Sequence, residues 1–417
     1  MQRRWFTAAA LLAGALVVAA CNQAPAGGGG GGDKGEIIVA SDFPTSGADR
    51  ASGRGPEAGV AYAVQLTPNI KGFKITHKPY DDAVNGVHDP QKGAQNFTDM
   101  VGNNKILGVV GPFNSNVARA TIPVANRASL VMISPSNTNE CLTQTFDYCD
   151  PKPSALRPTQ KNNYFRIAAP DTVQGPAMAD FAVDTLKITK LAVWSDNETF
   201  GKGVADNFAK EVAKKGGTVV KRQDFDWKST NDFRPFLQSA KDAGAQGIYA
   251  GATSATKGCI PRAQMKGIFT TDIPYMGPDG IGDSQCIKDA GDNANQNMYF
   301  TNAAAEAAQD PANAQTISDF KAKFTAKEDL GAYTFPGYDC AKILLDAISR
   351  AIDKAGGNMP TREQVLQAVQ DTSNLKLTTG TYSFDQNGDP KSATMAFYQY
   401  KTDAKDWVFV KQFSVGG

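Results

Sequence analysis

The sequence predicts an α/β protein built as two doubly wound lobes. Three observations predict it. Short β-branched runs alternate with longer amphipathic segments along most of the chain, which implies parallel sheets covered by helices on both faces. Runs such as ILGVV, 106–110, are apolar at every position, as strands buried on both sides must be. The stretch from about residue 35 to residue 417 is long enough for two domains of ordinary size.

The first twenty residues stand apart from that fold. MQRRWFTAAALLAGALVVAAC carries Arg3 and Arg4 at its start, an apolar run over 6–20, and Cys21 after small residues. This is the pattern of a secretory signal, too short and too rich in small residues for a membrane span. VVAAC resembles the bacterial lipobox, which implies that Cys21 carries a lipid and becomes the mature N-terminus. RRWF lacks the rest of a twin-arginine motif, so the general secretory route is expected. With Cys21, NQAPAGGGGGGDKG makes residues 21–35 a tether without apolar surface to bury. Glycine-rich linkers behave as flexible coils, so the body is expected to be anchored to a membrane and not to span it.

The strands then follow in order: EIIVASD, KITHKPYDD, ILGVVGP, LVMISP, YFRIAAP, KLAVWSD, TVVKRQDF, QGIYAGA, IPYMGPD and NMYFTNA. Helical spacing falls between them at 57–66, 91–101, 118–127, 174–186, 203–215 and 233–243. The rhythm changes near the end. Residues 338–354 and 361–370 read as helices, the second with Thr361 as N-cap and Glu363 and Gln364 in its first turn. GTYSFDQNGDP, MAFYQYK and WVFVKQF then read as strands joined by hairpin turns, with NGD as a turn signal. NGD only half resembles a calcium loop, because the acidic spacing is wrong and no closing Glu follows, so no metal is assigned to it.

Charge excludes one class of partner. The chain has 43 Lys and Arg against 42 Asp and Glu; without Arg3 and Arg4 the balance is 41 to 42, a net charge of −1. No basic block is interleaved with aromatics, so nucleic acid is not expected as a partner. Of six cysteines, Cys141 and Cys149 flank a short loop that a disulfide would close in an oxidising compartment. Cys259 and Cys286 form a second candidate pair, which leaves Cys340 unpaired and buried.

Catalytic and metal signatures are sparse. His77 and His88 read as surface residues, and neither an HExxH motif nor a zinc-type Cys/His spacing occurs. Ser254 to Lys257, SATK, and SDN at 195–197 match elements of penicillin-recognising enzymes in reversed order and without KTG, so both are read as chance. A nucleophile elbow, a Walker A loop and a dinucleotide fingerprint are also missing from the sequence, and no cofactor is expected.

Binding chemistry gathers in loops at strand ends, where doubly wound sheets place their ligands. Asp279 sits alone among glycines and a proline in YMGPDGIG. It reads as a solvated loop charge, a catalytic acid, a metal ligand or the partner of a cationic ligand. GPFNSN and SPSNTN, in the segment 111–143, are rich in small polar side chains, and the first opens into a helix. Hydroxyls and helix-start N–H groups suit a carboxylate, although Ser115 and Asn116 also read as simple N-caps. A carboxylate site on one lobe and Asp279 on the other would grip a zwitterion. One ammonium–carboxylate pair at about 4 Å and an effective dielectric near 20 contributes roughly 4 kcal/mol before desolvation.

DDA, GPFNSN, ISPSNTN with the following LT, WSDNETFGKGVA and YMGPDGIG, in this order, resemble the branched-chain amino-acid substrate-binding proteins of ABC transporters. These are type I periplasmic binding proteins, and the similarity runs from about residue 37 to the C-terminus. The resemblance implies two α/β lobes, joined by three hinge crossings, that close over an amino acid. Lobe 1 would comprise 36–165 and 303–382, and lobe 2 would comprise 166–302 and 383–417. Ser115 matches the serine that bonds the ligand carboxylate; Ser136, Asn137 and Thr138 match the loop adding further contacts. Asp279 matches the acid that takes the ligand ammonium, usually Glu in leucine-type binders. Phe200 falls where an aromatic covers the ligand, and Tyr338 matches a segment lining the cleft.

The departures concern the pocket walls. Ser52 stands at a position usually filled by an aromatic, with Arg50 nearby either solvated or recruiting a second carboxylate. Thr253 or Ser254 stands where leucine-type binders carry a tyrosine, and the family's disulfide near DDA has no counterpart. The expected function is capture of an amino acid, branched-chain or related, and its delivery to an ABC permease by a lipid-anchored, monomeric protein without enzymatic activity. A sensor or an amide- or urea-type binder using the same cleft is the alternative, and a hydrolase built on Ser254 and Lys257 the third reading.

Overall fold

Residues 33–415 are described by a computed structural model, and they build two sheets with helices on both faces of each. The leader, Cys21 and residues 22–32 of the tether lie outside the described residues.

The chain opens with β1 (Glu36–Phe43), α1 (Arg50–Gln65), β2 (Asn69–Ile70) and β3 (Phe73–Asp81). A small hairpin follows, β4 (Ala83–Val84) and β5 (Val87–His88), then α2 (Pro90–Gly102), β6 (Ile106–Val110), α3 (Ser115–Arg127), β7 (Val131–Ser134) and β8 (Tyr164–Arg166). Five of these strands run parallel, and β2 closes the edge antiparallel to β3, in the order β2–β3–β1–β6–β7–β8. Alternate residues of β1 go to opposite faces. Ile37, Val39 and Phe43 enter one buried cluster, Ile38 and Ala40 the other. All five residues of β6 are buried, as their uniform apolarity requires.

The chain then leaves this sheet for α4 (Asp171–Asp180), β9 (Lys190–Ser195), α5 (Thr199–Lys214), β10 (Thr218–Asp224), α6 (Arg234–Asp242) and β11 (Gly247–Gly251). The second sheet continues with α7 (Ile260–Gln264), β12 (Tyr275–Gly277), α8 (Ser284–Ala290) and β13 (Met298–Asn302). A return to the first sheet supplies α9 (Ala314–Lys323), α10 (Thr334–Lys354), α11 (Arg362–Gln370) and the pair β14 (Leu375–Lys376) and β15 (Thr381–Tyr382). A last passage leads back to β16 (Ala393–Lys401) and β17 (Asp406–Val415), antiparallel at the edge of the order β10–β9–β11–β12–β13–β16–β17. The three passages touch. Ala169 N–H donates to Ala303 O at 3.1 Å, and Arg166 N–H donates to Gly388 O at 3.0 Å.

Several helices begin earlier than their sequence pattern. α1 starts at Arg50 and not at 57, although Gly53, Gly55 and Pro56 depress its helical signal. Its glycines serve packing: a Cβ on Gly59 would collide with the Thr334 carbonyl, so α1 lies directly on the start of α10. α10 likewise starts at Thr334, four residues before the spacing indicates. α11 carries the expected cap, a reciprocal capping box between Thr361 and Gln364. Cys141 pairs with Cys149 and Cys259 with Cys286, while Cys340 is buried and free.

Both histidines depart from their surface reading. His88 Nδ1 meets the Asp49 carboxylate at 2.6 Å, and both groups are buried. Burial opposes the charge, but Asp49 and its hydrogen bond outweigh it and lift His88 to about 9. His77 is mostly buried beside Ser41 and Glu57. Ser41 donates to Glu57 Oε2 at 2.6 Å, and Ser41 Oγ lies 2.8 Å from His77 Nε2. Burial pushes His77 down to about 4 and Glu57 up to about 7, the latter against the hydrogen bond from Ser41.

A pH-dependent stability follows. Glu57 is raised above its ordinary 4.5, so its contribution is fully present below pH 4.5 and is lost as pH climbs through 7. Glu57→Gln removes that loss. The variant is expected to gain on the wild type between pH 4.5 and 7, to a plateau of about 3 kcal/mol. Chemical denaturation at several pH values reads the difference; a gap that does not grow with pH would refute the assignment.

Candidate ligand-binding site

Loops at the ends of parallel strands converge between the two sheets. Phe113, Asn114 and Ser115 follow β6, Ser136 follows β7, Phe200 opens α5, Thr253 follows β11, and Asp279 and Gly280 follow β12. These eight residues enclose a chamber of about 20 Å³. Ser115, Ser136, Phe200 and Asp279 are thus brought together from both halves of the fold. Gly280 is required there, since a Cβ would lie 2.6 Å from Ala252 O and 2.8 Å from the Phe200 ring.

Asn114 precedes α3 without a side-chain cap, and Ser115 is the first residue of that helix. Its hydroxyl oxygen receives Asn139 N–H at 3.4 Å. Asn116 is not a cap either; its Nδ2 donates to Glu198 Oε2 at 2.7 Å, across to the start of α5. Ser136 and Asn137 both donate to Phe113 O, at 3.0 and 2.7 Å, and so brace the loop that carries Ser115. The Thr138 hydroxyl is buried without a protein partner, and its carbonyl accepts Asp171 N–H at 2.7 Å.

Asp279 faces this loop from the second sheet. Tyr333 donates its hydroxyl to Asp279 Oδ2, while Oδ1 is buried and has no protein partner. Burial raises the carboxyl to about 6, with the Tyr333 hydroxyl and other hydrogen bonds pulling it back. Asp171, the first residue of α4, is buried with both carboxyl oxygens unpartnered. Burial, then the negative charge of Glu140 and Asp279, holds it well above its ordinary value. The nearby cation Arg166 is committed elsewhere, to Asp389 at 2.7 Å and to Asn139 O at 2.8 Å. An ammonium on Asp279 Oδ1 would supply the missing donor.

Other expected site residues lie elsewhere. Tyr338 packs against Tyr62 in the core of the first half, with ring centroids 5.7 Å apart. Tyr333, the residue just before α10, instead bonds Asp279. The resemblance pointed to Tyr338 and carried no signal for Tyr333; Asp171 was missed because an acid in a helix's first turn reads as an ordinary helix start. Ser52 lines an adjoining cavity and donates to Asp283 Oδ2 at 2.7 Å. Arg50 is exposed, its guanidinium 3.5 Å from Thr45 O. Lys257 donates to Trp227 O at 2.6 Å and Thr230 O at 2.8 Å, while Ser254 Oγ turns to Gly280 O at 3.3 Å. No nucleophile–base contact joins these two side chains.

A sequence profile of the family described as periplasmic binding protein matches residues 36–405. The chain is 28% identical over 372 residues to the leucine-, isoleucine-, valine-, threonine-, and alanine-binding protein of Pseudomonas aeruginosa, covering 88% of this chain and 91% of that one. Its fold is similar to the crystal structure of a leucine binding protein, LivK, from Thermotoga maritima, with a TM-score of 0.76, 22% identity and coverage of 90% and 98%. It is also similar to a solute binding protein of R. palustris in complex with 4-hydroxybenzoate, with a TM-score of 0.74, 17% identity and coverage of 91% and 97%.

Proposed function

Because the chain belongs to the periplasmic binding protein family, we propose that it captures an amino acid between its two lobes and delivers it to an ABC permease. The observation that carries this reading is Asp279, a half-buried carboxylate whose Oδ1 is buried and unpartnered, in the same chamber as the Ser115 hydroxyl at the start of α3 and that of Ser136. The first would take an ammonium and the second a carboxylate. The name of the Pseudomonas relative supports an amino acid.

Mechanism is closure without chemistry. Lobe 1 is 36–165 with 303–382, lobe 2 is 166–302 with 383–417, and the ligand stabilises the closed form through contacts to both. Ser52–Asp283, Asn116–Glu198 and Tyr333–Asp279 already link the two halves. The family's name places such proteins outside the cytoplasm. Anchoring through a lipid on Cys21 would keep this one, a monomer, at the membrane beside its permease. Among the described residues no helix is long and apolar enough to cross a membrane.

Melting shifts test the proposal. The protein without its leader, unfolded, stripped and refolded, is expected to gain about 2.7 kcal/mol from an amino acid at a hundred times its dissociation constant. A shift with benzoates, amides or amines alone, and with no amino acid, would overturn the ligand class. The R. palustris neighbour makes benzoates a necessary arm.

A further inference from the structure

The chamber at Ser115 holds about 20 Å³, room for roughly one water-sized group. It leaves no room for a side chain. Next to it lies a cavity of about 310 Å³ that shares Phe113 and Asp279 with the chamber. Tyr333 stands at the junction, lining the cavity, donating to Asp279 and meeting Phe113 edge-on with centroids 5.5 Å apart and planes at 89°. The cavity gives a ligand held by Asp279 room to extend.

Six aromatic side chains stand in the lining of that cavity, beside charged ones such as Glu306, Lys321, Lys327, Glu328 and Asp406. Phe300 stacks on Tyr398 with centroids 4.7 Å apart, and Trp407 meets Phe300 edge-on at 4.9 Å. Phe335 lines the same space, and Leu330 lines it while 42% exposed. Ser52 lines it as well, its small side chain tied to Asp283. Aromatic surfaces favour offset and edge-on contacts with another ring. A short aliphatic side chain would leave much of such a space unfilled and its lining without partner atoms. The volume falls at the low end of the roughly 300–1,000 Å³ of small-molecule pockets.

We propose that the ligand is an amino acid with an aromatic side chain, its ammonium on Asp279 and its ring in the cavity lined by Phe113, Phe300, Tyr333, Phe335 and Trp407. This rests on the amino-acid reading given above and deepens it. Calorimetry with phenylalanine, tyrosine, tryptophan, leucine, valine and alanine tests it on the refolded protein. At least one aromatic amino acid is expected to bind tenfold more tightly than leucine, valine or alanine. Ser52→Trp narrows the cavity and is expected to lower the ratio of aromatic to alanine affinity at least tenfold. Leu330→Ala, at an exposed position, should lower that ratio about threefold. Leucine, valine or alanine binding as tightly as the aromatics, or ratios unmoved in both variants, would overturn the aromatic assignment and leave amino-acid capture standing. Failure of every amino acid, with benzoate or phenethylamine binding instead, would overturn the amino-acid reading itself.

Discussion

Asp279→Ala is expected to weaken amino-acid binding at least tenfold. The carboxylate is the charged group of the chamber with an unpartnered oxygen, and among the described residues no Lys or Arg pairs with it. Removing one partner of a buried charge pair costs about 2–5 kcal/mol, much of it from the ammonium left unpaired. Asp279→Asn would keep an acceptor for the Tyr333 hydroxyl and lose only the charge, so it should approach the alanine variant. The pH dependence gives an independent handle. The carboxyl sits at about 6 without ligand, and an ammonium is held by its ionised form. Affinity is therefore expected to fall below pH 6, by up to tenfold per unit, and this slope should vanish in Asp279→Ala. Unchanged affinity in calorimetry would remove Asp279 from the site.

The legible parts of this molecule are those that a local window contains. The buried strands declared themselves by composition, and ILGVV is buried at all five positions. Asp279 and Ser115 were legible because a polar residue in a glycine- or proline-rich loop after such a strand lands at the sheet's C-terminal edge. The chamber unites these two residues, from loops more than 150 positions apart in sequence. What a window hides is the contact between distant elements. Gly53, Gly55 and Pro56 looked like helix breakers, whereas Gly59 shows the same helix pressed onto the start of α10. That pressing helps to place the first turn of α10, just after Tyr333, whose bond to Asp279 no local pattern announces. The histidines were misread for the same reason. Their partners Asp49 and Glu57 come from other elements, and contacts between distant side chains leave no periodic trace.

Arg166 offers the largest expected effect on stability. It ends β8, where the chain first leaves the first sheet, and it is fully buried. Its guanidinium donates to Asp389 Oδ1 at 2.7 Å, to Asn139 O at 2.8 Å and to Thr143 Oγ1 at 2.6 Å. Asp389 belongs to the NGD turn on the third passage between the sheets, so the acid that superficially suggested a calcium loop instead secures this junction. Burial alone would raise Asp389, but the Arg166 guanidinium overrides it and holds the carboxyl below its ordinary value. Arg166→Met leaves that carboxylate buried without its cation, with Gln144 Nε2 at 2.7 Å among its remaining donors. The expected cost is about 3–5 kcal/mol, the usual penalty for breaking a buried pair from one side. Because replacing both partners removes the stranded charge, the double variant Arg166→Met with Asp389→Leu should recover much of that loss. Urea unfolding of the two variants separates the cases. A single variant within 1 kcal/mol of the wild type would show that the junction is held by the backbone bonds at Gly388 and Ala303 and not by the ion pair. A double variant as unstable as the single one would show that the hydrogen bonds to Asn139 and Thr143, which link Arg166 to the loop behind the chamber, matter more than its charge.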